Sequence, residues 1–241
     1  TLTQSYLRGE DKPPLLYETI GNCFDRIVEH FPEKEALVVK HQKIRWTYLQ
    51  YQERVDCLAK GLLALGIQPG DRVGIWAPNG YEWCLTQFAT AKIGAIMVCI
   101  NPAYRVYELK YALNNVGCRA IITSETFKTS EYLNMLTELA PELKYCAPGQ
   151  LQCNELNTLE IVIRMGDDIT PGMFNFREVC TMGGALETQQ LQRLKQLLQP
   201  NDVINIQFTS GTTGTPKGAT LSHQNILNNA YLSARSMRVT A

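Results

Sequence analysis

The sequence has few of the features that place a protein quickly in a functional class. It has three histidines, and its eight cysteines form no C-x-x-C pair, so we expect neither a structural zinc site nor a disulfide framework. Lys and Arg number 23, as do Asp and Glu, which excludes the overall basic field typical of nucleic-acid binders. Any anion site must therefore be local. The scattered cysteines are typical of buried, reduced side chains in a reducing compartment.

The sequence also lacks a long apolar run. No stretch reaches the roughly 18 apolar residues that a membrane-spanning helix needs. The best candidate, residues 89–100, is too short and contains Lys92. No Arg-rich and Ser-rich amphipathic leader is recognisable, so we expect a targeting peptide to be absent from this chain. With 241 residues and 45% hydrophobic composition, the chain can bury a substantial core in one or two domains.

What the sequence does contain is an alternation of short β-branched runs and helical patterns. Thr47 is a predicted helix N-cap, and Gln50 completes a capping box. The predicted elements are a hairpin within 36–46, helices at 47–65, 81–93, 106–116, 186–198 and 225–235, and strands at 73–77, 95–100, 120–123, 159–164, 203–208 and 219–221. Prolines and Gly172 interrupt the pattern between residues 141 and 185. This order favours βαβ units, hence an α/β fold with a mostly parallel sheet flanked by helices.

A polar, glycine-rich loop follows the predicted strand 203–208. Short hydroxyl side chains, two glycines, one proline and one lysine compose it: Thr209, Ser210, Gly211, Thr212, Thr213, Gly214, Thr215, Pro216 and Lys217. The glycines permit positive φ and close approach of the backbone to an anion, while the hydroxyls and the ammonium group supply donors. In a parallel sheet, such a loop lies at the carboxyl ends of strands, where ligands bind. We therefore predict that residues 209–217 bind phosphate.

Two other interpretations of this loop are weaker. A Walker A loop reads G-x-x-x-x-G-K-[ST], whereas here Lys217 precedes Gly218 and the two glycines are three residues apart. A γ-phosphate hydrolase is therefore disfavoured. A bare Gly-Thr-Thr-Gly segment would suit an ordinary turn between two strands, but the complete run from Thr209 to Gly218 is far more specific.

The complete run resembles the phosphate-loop signature of the adenylate-forming, or AMP-binding, superfamily, which includes the acyl-CoA synthetases. Further motifs appear in the order that these enzymes use: Trp46-Thr47-Tyr48, Gly70-Asp71-Arg72-Val73, Ala77-Pro78-Asn79, Lys92-Ile93-Gly94-Ala95 and Asn101-Pro102-Ala103-Tyr104. Residues 2–6 and 220–225 are most similar to mitochondrial medium-chain acyl-CoA synthetases. The resemblance covers most of the chain.

The resemblance implies the N-terminal subdomain of an acyl-CoA synthetase-like fold, truncated after the phosphate-binding loop. We expect an N-terminal arm and first helix at 1–35, a first α/β subdomain at 36–200, and the loop with the start of a further subdomain at 201–241. The intact parent would be an acid-thiol ligase that uses ATP, with magnesium, to activate a fatty acid, medium-chain by resemblance. It would release pyrophosphate and transfer the acyl group to coenzyme A. Its implied location is the mitochondrial matrix.

No catalytic residue and no metal ligand is assigned within this chain, so we expect the chain alone to be inactive. Two alternatives stay open: a naturally short product that binds nucleotide or a partner without catalysis, and an adenylating enzyme with a different acceptor. Outside the loop, His223 is expected to be structural. Tyr104 and Tyr107 are expected to pack at a strand-to-helix turn, and Asp202 to cap or to be solvated.

Overall fold

The computed structural model describes residues 14–209 and 215–239. The α-helices in these ranges are α1 Ile20–His30, α2 Tyr48–Ala64, α3 Tyr81–Ile93, α4 Val106–Val116, α5 Tyr132–Leu139, α6 Phe176–Met182, α7 Ala185–Leu197 and α8 His223–Ser236. The strands are β1 Glu35–Val39, β2 Ile44–Thr47, β3 Arg72–Trp76, β4 Ile96–Cys99, β5 Cys118–Thr123, β6 Thr126–Phe127, β7 Ser130–Glu131, β8 Ile161–Arg164, β9 Phe174–Asn175, β10 Val203–Phe208 and β11 Gly218–Ser222.

Seven of these strands form one sheet in the order β11-β10-β4-β3-β5-β8-β9. All neighbouring pairs are parallel except β10 and β11, which form an antiparallel hairpin. Two small antiparallel pairs, β1 with β2 and β6 with β7, lie outside this sheet. The predicted mostly parallel sheet and the predicted hairpin within 36–46 are therefore confirmed.

The sheet is covered by helices on both faces, as predicted. Alternate residues of β5 point to opposite faces: Ala120 and Ile122 pack with α1, α2, α3, α6 and α7, whereas Ile121 packs with α4 and α5. Each face carries a separate buried apolar cluster. The sequence of β5 is apolar throughout because both of its faces are buried.

Local signals set several helix ends. The side chains of Thr47 and Gln50 form the expected capping box at the start of α2. Gly117 ends α4 with φ 63°, a left-handed conformation that glycine adopts without a steric penalty. α3 and α4 have the predicted bounds, while most strand ends differ from the predicted ones by one or two residues.

The prediction was wrong in the middle of the chain. Between residues 141 and 185 it gave only one strand, and it also omitted α5; the structure contains β9 and α6 in addition. α6 has seven residues, too few for a helical period to be visible in the sequence. In α7, Leu191 and Leu194 are buried, whereas Leu197 is 56% exposed.

All eight cysteines have free thiols, as expected. Their burial was predicted less well, because only Cys118 and Cys153 are fully buried while the other six are half-buried. Across the part of the chain that the structure describes, no helix combines the length and the apolar character needed to cross a membrane.

Candidate functional site

The predicted loop leaves the sheet from β10. Ile204, Asn205 and Ile206 are buried in this strand, and its parallel partner is β4, with Asn205 opposite Met97. Asn205 Nδ2 lies 3.5 Å from the Cys99 Sγ atom, a contact that ties the two strands near their carboxyl ends. Burial raises the pKa of the Cys99 thiol, so it remains protonated and acts as a packing group.

The antiparallel pairing of β10 with β11 brings the two ends of the loop together. Phe208 pairs with Gly218, and the Thr209 N–H donates to the Lys217 carbonyl oxygen at 2.9 Å. The Tyr111 hydroxyl, on α4, donates to the Pro216 carbonyl oxygen at 3.2 Å. These contacts fix both ends of the loop on a rigid part of the sheet.

Of the predicted phosphate-binding residues, the structure describes four. Thr209, Thr215 and Lys217 are exposed and Pro216 is half-buried, all at the carboxyl end of β10. Ser210, Gly211, Thr212, Thr213 and Gly214 lie outside the described residues. Because Lys217 directly precedes β11, its ammonium group extends from a position that the hairpin fixes.

Other predicted motifs meet at the same edge of the sheet. The segment 77–80 follows β3 and the segment 101–105 follows β4, and these strands are parallel to β10. α3 leaves β3 toward one face and α4 leaves β4 toward the other. Neighbouring strands whose connections diverge in this way create a crevice, the usual ligand position in open α/β sheets. The loop therefore lies one strand away from such a crevice.

Hydrogen bonds hold the wall of this crevice together. The Tyr132 hydroxyl donates to the Pro102 carbonyl oxygen at 2.5 Å, and Arg105 Nη1 donates to Ser130 Oγ at 2.6 Å. Both bonds join the turn after β4 to the segment after β5. The turn is therefore held in place before any ligand arrives.

The other sequence-based candidates have mixed outcomes. His223 is fully buried and accepts a hydrogen bond from the Ile20 N–H, so its expected structural role is confirmed. Asp202 caps the turn before β10 by accepting from the Gln199 N–H at 2.7 Å. Tyr104 packs on the α4–α5 face as predicted. Tyr107 is 75% exposed, so the prediction that it packs was wrong.

Two contributors to the site were not found from the sequence. Tyr111 reaches the loop from a helix more than 100 residues away in the chain, and Asn205 looks like any polar residue in an otherwise apolar strand. Neither has a local sequence signal. A buried asparagine in a central strand becomes informative only once its neighbour Cys99 is known.

The sheet order and the helices on both of its faces define a doubly wound α/β protein, and both ends of its glycine-rich segment lie at the carboxyl edge of the sheet. The family profile described as "AMP-binding enzyme" matches residues 24–240. The chain therefore belongs to the AMP-binding enzyme family.

Several known proteins are similar to this chain over nearly its full length. The medium-chain acyl-CoA ligase ACSF2, mitochondrial, of Danio rerio is 46% identical over 231 residues, which are 96% of this chain. The Homo sapiens protein of the same name is 45% identical over 236 residues, 98% of this chain. The chain spans 38% of the length of each of these relatives.

A solved structure shows the same architecture. The crystal structure of a long-chain-fatty-acid-CoA ligase (FadD1) from Archaeoglobus fulgidus superimposes with a TM-score of 0.74 at 25% identity. The match covers 98% of this chain and 43% of that one.

Proposed function

We propose that this chain is the N-terminal part of an ATP-dependent acyl-CoA synthetase. In the proposed reaction a fatty acid carboxylate attacks the α-phosphorus of ATP, giving an acyl-adenylate and pyrophosphate. The thiol of coenzyme A then displaces AMP. The observation that carries the proposal is the position of the two ends of the loop, Thr209 and Lys217, at the carboxyl edge of the sheet, in a chain that belongs to the AMP-binding enzyme family.

The proposed role of the loop is electrostatic. As the bond to the α-phosphorus breaks, negative charge develops on the departing pyrophosphate, and fixed donors near its oxygens lower the barrier. The hydroxyls of Thr209 and Thr215 and the ammonium group of Lys217 are exposed at the required edge. Residues 210–214, which lie outside the described residues, are assigned the same role from their composition. No catalytic residue is assigned elsewhere in the chain.

Magnesium enters the proposal through the nucleotide. Among residues 14–209 and 215–239, no group of three or more His, Cys, Asp or Glu side chains could hold a metal ion. Mg²⁺ commonly keeps several waters and binds substrate phosphates. We therefore assign it to the phosphate oxygens of ATP and to no protein ligand of this chain.

The proposed substrate and location are supported by the names of the relatives. Their printed names specify medium-chain acyl-CoA ligases and the mitochondrion. We propose a medium-chain fatty acid as the substrate and the mitochondrial matrix as the location.

The proposed domain bounds are a separate matter. We propose that the first α/β subdomain covers residues 36–200 and that residues 201–241 begin the next one. The two parts share one sheet, because β10 and β11 belong to the same sheet as β3 and β4.

The experiment is ATP–pyrophosphate exchange in the full-length enzyme with a series of fatty acids of increasing chain length. Lys217→Ala should slow exchange by about tenfold to a hundredfold, because one charge-assisted hydrogen bond contributes about 1.5–3 kcal/mol. The matched control is Lys144→Ala, since Lys144 is also exposed and lies in the turn Pro141–Lys144. Exchange at the wild-type rate in Lys217→Ala would remove this lysine from the mechanism. Acyl-CoA formation after coenzyme A is added tests whether a different acceptor is used, because pyrophosphate exchange reports only the formation of the acyl-adenylate.

A further inference from the structure

The segment just before α1 is attached to the start of α8, more than 200 residues later in the chain. Residues 16–20, here called the N-terminal strap, lie against this helix. The Leu16 N–H donates to Asn228 Oδ1 at 2.7 Å, and Asn228 Nδ2 donates back to the Leu16 carbonyl oxygen at 2.9 Å. Asn228 is 6% exposed, so these bonds are shielded from water.

A second bond joins the strap to the first residue of α8. The Ile20 N–H donates to His223 Nδ1 at 3.2 Å, and the His223 side chain is 0% exposed. Nδ1 can accept this bond only while it carries no proton. Burial lowers the pKa of His223 to about 4, so the ring is neutral at physiological pH and the bond persists.

α8 is continuous with the loop through β11. Lys217 precedes β11, and β11 runs directly into α8 at Ser222. In the described part of the sheet, β11 pairs only with β10, so α8 is its second support. The first turn of α8 is also fixed to the turn before β10: the His223 N–H donates to the Asp202 carbonyl oxygen at 3.2 Å, and the Gln224 N–H to that of Pro200 at 2.9 Å.

We propose that His223 and Asn228 are positioning residues through which the N-terminal strap holds α8, and with it β11 and Lys217, in place for phosphate binding. The inference rests on the proposed function, because phosphate is the ligand that Lys217 is proposed to serve. It assigns a role to the strap that lies outside the reaction itself. In this proposal the strap acts on Lys217 through α8 and β11.

Ile20 allows the bond to be removed selectively. It is the first residue of α1, where the backbone N–H has no partner within the helix and proline is well tolerated. The preceding residue, Thr19, has ψ 156°, the extended conformation that proline favours in its neighbour. Ile20→Pro therefore deletes the donor to His223 without breaking α1. Ile20→Ala is the matched control, because it removes the same apolar contacts and keeps the N–H.

The probe is inorganic pyrophosphate, and its affinity for the full-length enzyme is measured by isothermal titration calorimetry. We expect Ile20→Pro to bind about fivefold more weakly than Ile20→Ala, the value of one net hydrogen bond. His223→Asn, whose side-chain oxygen can replace Nδ1 as the acceptor, should retain most of the affinity. In a His223→Leu background, Ile20→Pro and Ile20→Ala should bind pyrophosphate equally, because the acceptor is already absent. Circular dichroism checks that each variant is folded.

Amide hydrogen exchange at residues 218–228 provides a readout that does not depend on phosphate. Exchange should be faster in Ile20→Pro than in Ile20→Ala. Equal affinity and equal exchange in these two variants would overturn the strap inference while leaving the proposed function intact. If Lys217→Ala does not weaken pyrophosphate binding, the proposed function fails instead, and the positioning of Lys217 for phosphate fails with it. Faster amide hydrogen exchange in Ile20→Pro than in Ile20→Ala would then still show that the strap holds α8.

Discussion

At the scale of single residues, the neutral buried ring of His223 makes stability depend on pH. Its folded-state pKa is about 4 and its unfolded value is about 6.5, so protonation favours the unfolded chain below pH 6.5. The cause is burial, which the nearby Asp202 opposes only in part. Between pH 6.5 and pH 4 this residue alone should remove about 3 kcal/mol from the free energy of unfolding.

Urea denaturation at a series of pH values from 7 to 4.5 measures this loss. Carboxylates titrate in the same range, so the quantity to compare is the difference between the wild type and His223→Asn, which cannot be protonated. The free energy of unfolding of the wild type minus that of His223→Asn should fall steadily as the pH falls, because only the wild type loses stability by protonation of this residue. A constant difference across the series would mean that His223 titrates normally.

Single residues also show what the sequence can and cannot predict about the site. The segment 209–217 is predictable because its composition, hydroxyls with two glycines and a lysine, has a local chemical meaning. Tyr111 and Asn228 are not predictable in the same way. Each acts through a contact with a distant part of the chain, and a contact of this kind leaves no pattern in the neighbouring sequence.

At the scale of elements, α2 and α6 approach each other at Gly61. A Cβ atom at this position would lie 1.9 Å from the Val179 carbonyl oxygen, a backbone atom that cannot move away easily. Gly61→Ala should therefore lower the free energy of unfolding by about 1–3 kcal/mol, the usual cost of overpacking. Thermal or urea denaturation measures the change.

Gly184→Ala is the control for this prediction. A Cβ there would have its nearest contact at 3.6 Å, with the flexible Glu187 side chain. Its cost should stay below about 1 kcal/mol, mainly from the weaker N-cap. Similar stabilities for the two variants would show that α2 and α6 can separate slightly without loss.

The elements differ in how well they could be predicted, for a physical reason. α3 lies between Gly80 and Gly94, and α4 ends at Gly117, so local sequence signals indicate these bounds. α6 is a helix largely because Phe176 and Val179 are buried on the face that it shares with α2. The burial of α6 depends on its packing against α2, and the pattern of apolar residues within seven positions does not predict that contact.

At the scale of the whole molecule, one charge cluster joins four helices. Lys92 on α3 lies 2.6 Å from both Asp25 on α1 and Asp56 on α2, and Lys195 on α7 lies 2.6 Å from Asp25. Burial raises the pKa of Asp25, but its hydrogen bonds from Lys195 and Lys92 outweigh this effect and lower it overall. Because its pKa is lowered, the Asp25 carboxylate stabilises the folded chain above the usual carboxyl range, and this contribution is lost as the pH falls through that range and below it.

Replacing Lys92 should destabilise the whole chain. Lys92→Met keeps much of the side-chain volume but leaves Asp25 and Asp56 without their shared cation, at a cost of about 2–3 kcal/mol. Lys40→Met, at an exposed turn position, is the control and should change stability by less than about 0.5 kcal/mol. Urea denaturation at pH 7 compares the two. Equal stabilities would show that the four helices are held by apolar packing alone.

The ring of Trp76 lies parallel to that of Tyr132 with 3.7 Å between their centroids, and both side chains are fully buried. Aromatic rings held rigidly in an asymmetric environment absorb left- and right-circularly polarised light unequally, whereas the effect averages out for freely rotating rings. The near-ultraviolet circular dichroism of this pair therefore reports on tight packing around β3 and α5. Loss of the near-ultraviolet signal with the far-ultraviolet signal intact would distinguish a loosened interior from an unfolded chain.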